Sequence, residues 1–268
     1  MNKTAVITGG AQGLGLAMAK QLAKQNWHLM LLDIDGEKLK SAKSELEAIG
    51  QGRTETYDLD LTDDEDIQSF LSGLSLTQEP IHLLINNAGI THRSSANYTD
   101  QEVFDRVMAL NWRAAVQLTR GLLPALQDGQ GVVTVIGSMA GWLPLPGRAA
   151  YCASKAAVNQ HFETWRPELK RKGIDVTLCF PSFLDTGIAK HALGTDGLHA
   201  QTQRSTVGSV GSADDMAKHI VVSSLKRKPR VWGHQFTARL GYYIWHLLPA
   251  LYRRITWKKF NEDIIRGD

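Results

Sequence analysis

The chain has 268 residues, of which 43% are hydrophobic and 21% charged, a composition typical of a soluble globular protein with a sizeable core. Its two cysteines, Cys152 and Cys179, exclude a disulfide framework and a cysteine-rich metal site, and they favour a cytoplasmic location. The net charge of +3 is uneven, because residues 216–261 contain ten basic side chains and no acidic one. That end of the chain is a candidate docking surface for anionic partners.

Short apolar runs alternate with longer helical patterns along the chain. The strand pattern begins directly after residue 3, from which we expect no secretory signal or membrane anchor ahead of the fold. The alternation predicts an α/β fold, a doubly wound parallel sheet with helices on both faces. The predicted strands are 4–8, 28–33, 53–61, 81–86, 131–137 and 174–180, and the predicted helices are 14–25, 37–48, 63–72, 100–127, 150–171 and 212–225.

No internal repeat or linker divides the chain, so we expect one dinucleotide-binding catalytic domain over residues 1–238. Residues 182–211 are rich in Gly, Ser, Thr and His and predict a mobile substrate loop. Residues 239–268 form a basic, aromatic extension that is predicted to be helical.

Glycines follow the first predicted strand and open the first helix. Gly9, Gly13 and Gly15 in TGGAQGLG would let the backbone approach a pyrophosphate, which the helix N-terminus attracts with free N–H groups and its dipole. A glycine-rich turn alone is weak evidence, since many such segments are simply turns. With this motif the predicted sheet becomes a Rossmann-type fold.

An acidic residue, Asp33, ends the second predicted strand. A carboxylate there accepts hydrogen bonds from the adenosine ribose hydroxyls and repels a 2′-phosphate. The nearest positions for a cation hold Gln12 and Ile34, neither of which is basic. The sequence therefore predicts NAD in preference to NADP.

Two further segments lie beyond strand ends, where ligands bind in such sheets. Asn87, Ala88 and Gly89 follow the strand 81–86 and would border the adenine ribose, although Asn and Gly also favour an ordinary turn. Ser138 follows the strand 131–137 and would hydrogen-bond a substrate oxygen.

Tyr151 and Lys155 lie four residues apart at the start of a predicted helix and so share one face. A lysine ammonium group one turn away favours the tyrosine phenolate, which moves Tyr151 toward the range of general acid–base catalysis. Asn111, a poor helix former inside the predicted helix 100–127, indicates a backbone distortion that holds a water beside Lys155.

Taken together, these motifs resemble the short-chain dehydrogenase/reductase family over about residues 3–190. The resemblance rests on TGGAQGLG, Asp33, Asp60-Leu61, NNAG, Asn111, Ser138, YCASK and PSFLDT in the family's order. It implies seven parallel strands in the order 3-2-1-4-5-6-7 and a catalytic tetrad of Asn111, Ser138, Tyr151 and Lys155. The cofactor residues that it implies are Gly9, Gln12, Gly13, Leu14, Gly15, Asp33, Asp60, Leu61, Asn87, Ala88, Gly89, Tyr151, Lys155, Pro181, Leu184 and Thr186.

By the same resemblance, Asp60 and Leu61 border the adenine and Thr186 holds the nicotinamide carboxamide. The family pairs helices like 100–127 and 150–171 between subunits, which implies a homodimer or homotetramer. Two positions depart from the pattern: Ser182 stands where the family often has Gly, and Pro167 is expected to kink the helix 150–171.

The segment from Ser138 to Ala157 resembles the branch with membrane-associated steroid and lipid dehydrogenases. We therefore expect NAD-dependent hydride transfer between the cofactor and an alcohol/ketone pair on a hydrophobic substrate. The alternatives are a reductase of carrier-bound 3-oxoacyl substrates and a non-catalytic nucleotide sensor. The intact tetrad argues against the sensor, and no metal or nucleic acid is expected.

The C-terminal extension carries an apolar stripe over residues 240–251 whose unbroken run is about eleven residues, too short to span a bilayer. We expect residues 239–260 to form an amphipathic helix on the inner surface of a membrane. The alternative is a cover over the substrate pocket or a second subunit. The stripe consists of Leu240, Tyr243, Ile244, Leu247, Leu248 and Leu251, followed by Arg253, Arg254, Lys258 and Lys259.

Overall fold

The computed structural model describes residues 3–75, 79–181, 184, 191–200, 211–233 and 236–255. The strands within these residues are β1 (Thr4–Thr8), β2 (His28–Asp33), β3 (Thr54–Asp58), β4 (Leu83–Asn86), β5 (Val132–Ile136), β6 (Asp175–Phe180) and β7 (Arg230–Trp232). They form one parallel sheet in the order β3-β2-β1-β4-β5-β6-β7, which confirms the Rossmann-type doubly wound sheet.

Helices cover both faces of the sheet, so β1, β2, β4 and β5 are buried along their whole length. The helices are α1 (Gly13–Ala23), α2 (Gly36–Ile49), α3 (Asp64–Ser75), α4 (Gln101–Met108), α5 (Ala114–Gly121), α6 (Leu123–Asp128), α7 (Ala149–Arg171), α8 (Ala213–Leu225) and α9 (Phe236–Leu247). One large hydrophobic cluster lies beneath α1, α2 and α8, and another lies beneath α3, α5 and α7.

The strand register brings the carboxyl ends of the central strands together. Ile7 of β1 pairs with Ile85 of β4, and Ile85 pairs with Thr134 of β5. The segments that follow these three strands therefore emerge side by side at one edge of the sheet, where the predicted site residues lie.

The prediction of one helix over residues 100–127 is wrong in one respect. The structure divides this region into three helices and a π-helical turn. The π-helical turn, Ala109–Arg113, separates α4 from α5 and contains Asn111. Pro124 then occupies the start of α6, where its missing N–H costs no intrahelical bond. In contrast, α7 continues past Pro167 to Arg171, so this proline does not end the helix.

Part of the predicted loop 182–211 packs against the body. The segment 191–200 hydrogen-bonds to the segment that follows β4, with Leu193 N–H to Thr91 O at 2.9 Å and Arg93 N–H to Leu193 O at 2.8 Å. Ala192 and Leu193 are buried. The remaining residues of this loop, apart from Leu184 and Gly211, lie outside the described residues.

The boundary that we expected for the C-terminal extension, at residue 239, falls inside α9. Helical geometry is interrupted at Leu248 and resumes over 249–255, because proline disfavours the α conformation of the residue before it and Pro249 has no N–H to donate. Residues 256–260 of the predicted amphipathic helix lie outside the described residues. Among the helices that the structure describes, none is long and apolar enough to cross a membrane.

Candidate active site

The turn between β1 and α1 depends on glycine. Gly9 and Gly13 have φ angles of +62° and +55°, the left-handed region that side chains disfavour. A Cβ on Gly15 would overlap with the Gly9 carbonyl oxygen and approach Asn87 Nδ2. The turn therefore presents the N-terminus of α1 without intervening side chains, and the first turn of α1 has no acidic residue. This cradle fits the pyrophosphate of a dinucleotide.

Asn87 and Ala88 connect this turn to the end of β4. Their backbone N–H groups both donate to Thr8 Oγ1 at 2.9 Å. The Asn87 side chain donates to the carbonyl oxygens of Thr8 and Gly9, at 3.0 and 3.1 Å. The Asn-Asn-Ala-Gly segment thus braces the glycine turn from the neighbouring strand.

Asp33 lies at the end of β2 with its carboxylate against the same turn. It accepts hydrogen bonds from Ala11 N–H at 3.0 Å and Asp35 N–H at 3.2 Å. Its strand neighbour in register is Asp58 of β3. Lys38, a cation that sequence analysis did not consider, pairs with Asp35 at 2.6 Å. The adenosine end of the site is therefore predominantly acidic.

The other expected cofactor residues occupy varied positions. Asp60 Oδ1 accepts from both the N–H and the hydroxyl of Thr62 at 2.8 Å, while Leu61 lines a small cavity with Ala88 and Lys155. Gln12 is exposed and Leu14 buried within the glycine turn, and Pro181 directly follows β6. Leu184 is buried and forms an isolated bridge with Gly211. Thr186 lies outside the described residues.

Lys155 lies inside the protein on the first turns of α7. Its side chain is only 4% exposed, and its ammonium group donates to the carbonyl oxygen of Ile136, the last residue of β5, at 2.8 Å. Burial lowers the pKa of Lys155 to about 8. Its Nζ atom is 5.9 Å from the centre of the Tyr151 ring. The expected Tyr-Lys pair is therefore present on one helical face.

Asn111 is buried in the π-helical turn and connects two elements of the site. Its Oδ1 accepts from Ile90 N–H at 2.8 Å, and its Nδ2 donates to Ile90 O and to Ser154 Oγ, both at 2.9 Å. Gly89 lies against it, since a Cβ there would be 3.0 Å from Asn111 Oδ1 and 3.6 Å from Lys155 Nζ. Asn111 thus occupies the distorted backbone that the sequence indicated.

Ser138 and Tyr151 lie at the same edge of the sheet. Ser138 follows β5 and caps a short 3-10 turn, Met139–Gly141, by accepting a hydrogen bond from Ala140 N–H at 3.1 Å. Tyr151 is half-buried in the first turn of α7. Asn159, one turn beyond Lys155, donates to Ser138 O at 3.4 Å. The four expected catalytic residues therefore gather around the ends of β4 and β5.

Sequence reasoning assigned no role to three polar residues near this group. Ser154 is fully buried and links Asn111 to the Tyr151 carbonyl, to which its hydroxyl donates at 2.9 Å. His92 is also fully buried, and burial lowers its pKa to about 4, so it is neutral at pH 7. Burial likewise lowers the pKa of Arg148, which directly precedes α7. Ser154 is within the Tyr-Lys motif, but nothing in the sequence marks His92 as buried or Arg148 as partly buried.

Comparison with known proteins agrees with this geometry. The family model described as short chain dehydrogenase matches residues 3–196. Dehydrogenase/reductase SDR family member 7B from Bos taurus is 32% identical over 268 residues, which cover 98% of this chain and 82% of the relative. The Drosophila melanogaster dehydrogenase/reductase SDR family protein 7-like is 30% identical over 261 residues, 96% of this chain and 80% of the relative.

Solved structures share the architecture. A short-chain dehydrogenase from Sphingobium yanoikuyae in complex with NADPH has a TM-score of 0.77 and 25% identity, with 94% of each chain covered. A metagenomic short-chain oxidoreductase in complex with NADP has a TM-score of 0.70 and 26% identity, covering 87% of this chain and 98% of the other. The chain therefore belongs to the short-chain dehydrogenase/reductase family and is an oxidoreductase that uses a nicotinamide cofactor.

Proposed function

We propose that this protein interconverts a secondary alcohol and a ketone on a hydrophobic substrate, with Tyr151 as the general acid and base. The observation that carries the proposal is the position of Tyr151 beside Lys155 on α7, where the Lys155 ammonium group is anchored at the end of β5. The glycine turn and Asp33 lie at the same edge of the sheet. A cofactor held there would supply or accept the hydride.

The side chains around Tyr151 have distinct proposed roles. Lys155 places a buried positive charge near the phenol and so favours the phenolate over the neutral form. The Ser138 hydroxyl, at the carboxyl end of β5, holds the substrate oxygen to which Tyr151 gives its proton in the reducing direction. Asn111 is a positioning residue, because its hydrogen bonds join the segment after β4 to α7.

The substrate side is lined by the segment between β5 and α7. Leu143 is buried there, and Trp142 packs against Phe180 and Trp232 with ring centres 4.2 and 5.2 Å away. Apolar and aromatic side chains at this edge of the sheet favour an apolar substrate body. Turnover of sterols, long-chain alcohols and short secondary alcohols under matched conditions tests this. A preference for the short alcohols would contradict a large hydrophobic substrate.

The decisive experiment for the catalytic assignment is Tyr151→Phe, which removes the hydroxyl and retains the ring. Turnover should fall by at least about 100-fold, as for the loss of a general acid, while cofactor affinity stays close to that of the wild type. Fluorescence titration of the cofactor and steady-state kinetics separate the two effects. Near-normal turnover would contradict the role of Tyr151.

We further propose NAD as the preferred cofactor. Asp33 and Asp58 end neighbouring strands in register, Asp35 donates its N–H to Asp33, and Lys38 is paired with Asp35. A 2′-phosphate would meet repulsion there. Two of the related proteins have structures with NADPH and NADP, so the choice is a sharp test. Titration of the wild-type protein with both cofactors decides it, and tighter binding of NADP would refute the proposal.

A further inference from the structure

The inner face of α9 packs against the body of the protein. The Tyr242 ring lies 5.3 Å from Trp142 and 5.7 Å from Trp232, measured between ring centres. Beyond Pro249, Tyr252 is buried, and its ring centre lies 5.4 Å from that of Trp245. Aromatic contacts of this kind hold a helix in a defined orientation. The inner face of α9 therefore already has its partner within the chain.

The outer face of the same segment is apolar and exposed. In the described part of the chain, eleven large hydrophobic side chains are exposed, and six of them fall within residues 240–255. Surface apolar side chains scattered singly need no explanation, whereas a contiguous group marks an interaction site. The six, which we call the outer patch, are Leu240 (46% exposed), Tyr243 (59%), Leu247 (74%), Leu248 (56%), Leu251 (44%) and Ile255 (57%).

The charge around the outer patch is positive. Arg253 and Arg254 follow Leu251 and are exposed, and residues 216–261 contain no acidic side chain. A partner that covers the patch must therefore offer an apolar surface beside negative charge. A second copy of the chain does not meet this condition, because a two-fold interface would bring this segment against its own copy, which has no acidic side chain over residues 216–261.

We propose that the outer patch docks this protein on the surface of an anionic lipid bilayer. A single helix with leucines on its outer face and arginines at its end suits the boundary between lipid headgroups and acyl chains. The inner face of α9 packs beside Leu143, just before the start of α7, and this packing fixes the orientation of the helix. The docked protein would then hold its substrate side close to the bilayer, a source of hydrophobic substrates.

The test is co-sedimentation of the full-length protein with vesicles of phosphatidylcholine and phosphatidylglycerol. We expect binding that is weaker on pure phosphatidylcholine and is reduced by about 0.5 M salt, which screens exposed charges. The double variant Leu247→Gln/Leu251→Gln should lower the partition coefficient by at least about tenfold. The double variant Val222→Gln/Leu225→Gln, at residues of α8 that are 42% and 36% exposed outside the patch, is the matched control and should bind as the wild type does.

Light scattering of the same proteins without lipid identifies the rival occupant. If the wild type stays in the supernatant at low salt, the proposal is wrong. If the double variant also lowers the mass in solution, a second copy covers the patch and the proposal is again wrong. None of these residues is assigned a catalytic role, so turnover of a water-soluble substrate separates failure of this proposal from failure of the proposed reaction.

Discussion

The ammonium group of Lys155 combines a positive charge with a site that water scarcely reaches. It donates a hydrogen bond to the Ile136 carbonyl oxygen, which is neutral, so the cost of burying the charge is only partly offset. Such a cost is retained at functional sites because the charge acts on a neighbouring group. Here that neighbour is Tyr151, whose phenolate the ammonium group would favour.

Lys155→Met tests this cost through the pH dependence of stability. Burial lowers the folded-state pKa from its ordinary 10.5 to about 8. Between these two pH values the unfolded chain binds more protons than the folded chain, so the stability of the wild type rises with pH. Below pH 8 the wild type carries the full cost of burying the Lys155 charge. That cost is on the order of 3 kcal/mol. The free energy of unfolding of Lys155→Met minus that of the wild type should therefore be largest near pH 7 and should decline toward pH 10.

Urea denaturation of both proteins at pH 7 and pH 9.5 measures this difference. The same substitution at Lys172, an exposed residue just past the end of α7, controls for the loss of a lysine at the surface. A difference between Lys155→Met and wild type that does not change with pH would show that the ammonium group is not held at a cost.

At the scale of the helices and strands, the π-helical turn is the feature that departs most from regular geometry. It widens the helix at Ala109–Arg113 and lets Asn111 reach both Ile90 and Ser154. Turns of this type often occur at functional sites. Here the turn joins the segment after β4 to α7, the two segments that carry the cofactor-binding loop and the Tyr-Lys pair.

Asn111→Ala should remove all three side-chain hydrogen bonds and leave the N–H and C=O of Ile90 unpaired. Because each buried unpaired group costs about 1–3 kcal/mol, we expect the free energy of unfolding to fall by roughly 2–4 kcal/mol. Ser154→Ala removes one of these bonds and the bond from Ser154 to the Tyr151 carbonyl, but it leaves Ile90 paired with Asn111 and should cost about 1 kcal/mol. Equal losses for the two variants in urea denaturation would be inconsistent with the bracing role of Asn111.

The sequence predicts elements well where the pattern reflects burial within the element. Strands β1, β2, β4, β5 and β6 appear as apolar runs because helices cover both of their faces. The three-residue strand β7 is too short for any periodicity and depends on pairing with β6. The split of helix 100–127 was only partly visible, since Asn111 marked the distortion but nothing set its extent.

The candidate site could likewise be predicted only in part from the sequence. The motifs place Gly15, Asp33, Ser138 and Tyr151 correctly at one sheet edge, because that edge follows from strand order. Burial of His92 and the pairing of Lys38 with Asp35 depend on contacts between distant or exposed segments, which periodicity does not encode. Side-chain partners of this kind become visible only in the folded chain.

For the whole molecule, we propose a homodimer or homotetramer built on the outer surface of α7 and of the π-helical turn before α5, within the helical regions that the family resemblance implies. Three half-buried rings form a row across this surface. Trp112 lies 6.1 Å from His161, and His161 lies 5.5 Å from Trp165, between ring centres. Burial lowers the pKa of His161, which is therefore mostly neutral at pH 7. Rings of this type are enriched in protein interfaces.

His161→Glu should place a negative charge in the centre of this surface and break the assembly. Burying this charge against a second subunit costs several kcal/mol, which the exposed Arg120 nearby only partly offsets, so association should weaken by at least about 100-fold. Light scattering coupled to size exclusion should then report the 29.6 kDa monomer for the variant and a multiple of that mass for the wild type. Gln25→Glu, at an exposed position just beyond α1, is the control for an added charge and should keep the wild-type mass. A monomeric wild type would contradict any subunit interface. An assembly that stays intact in His161→Glu would rule out this surface as the interface and would leave a subunit contact elsewhere, such as the outer patch of α9.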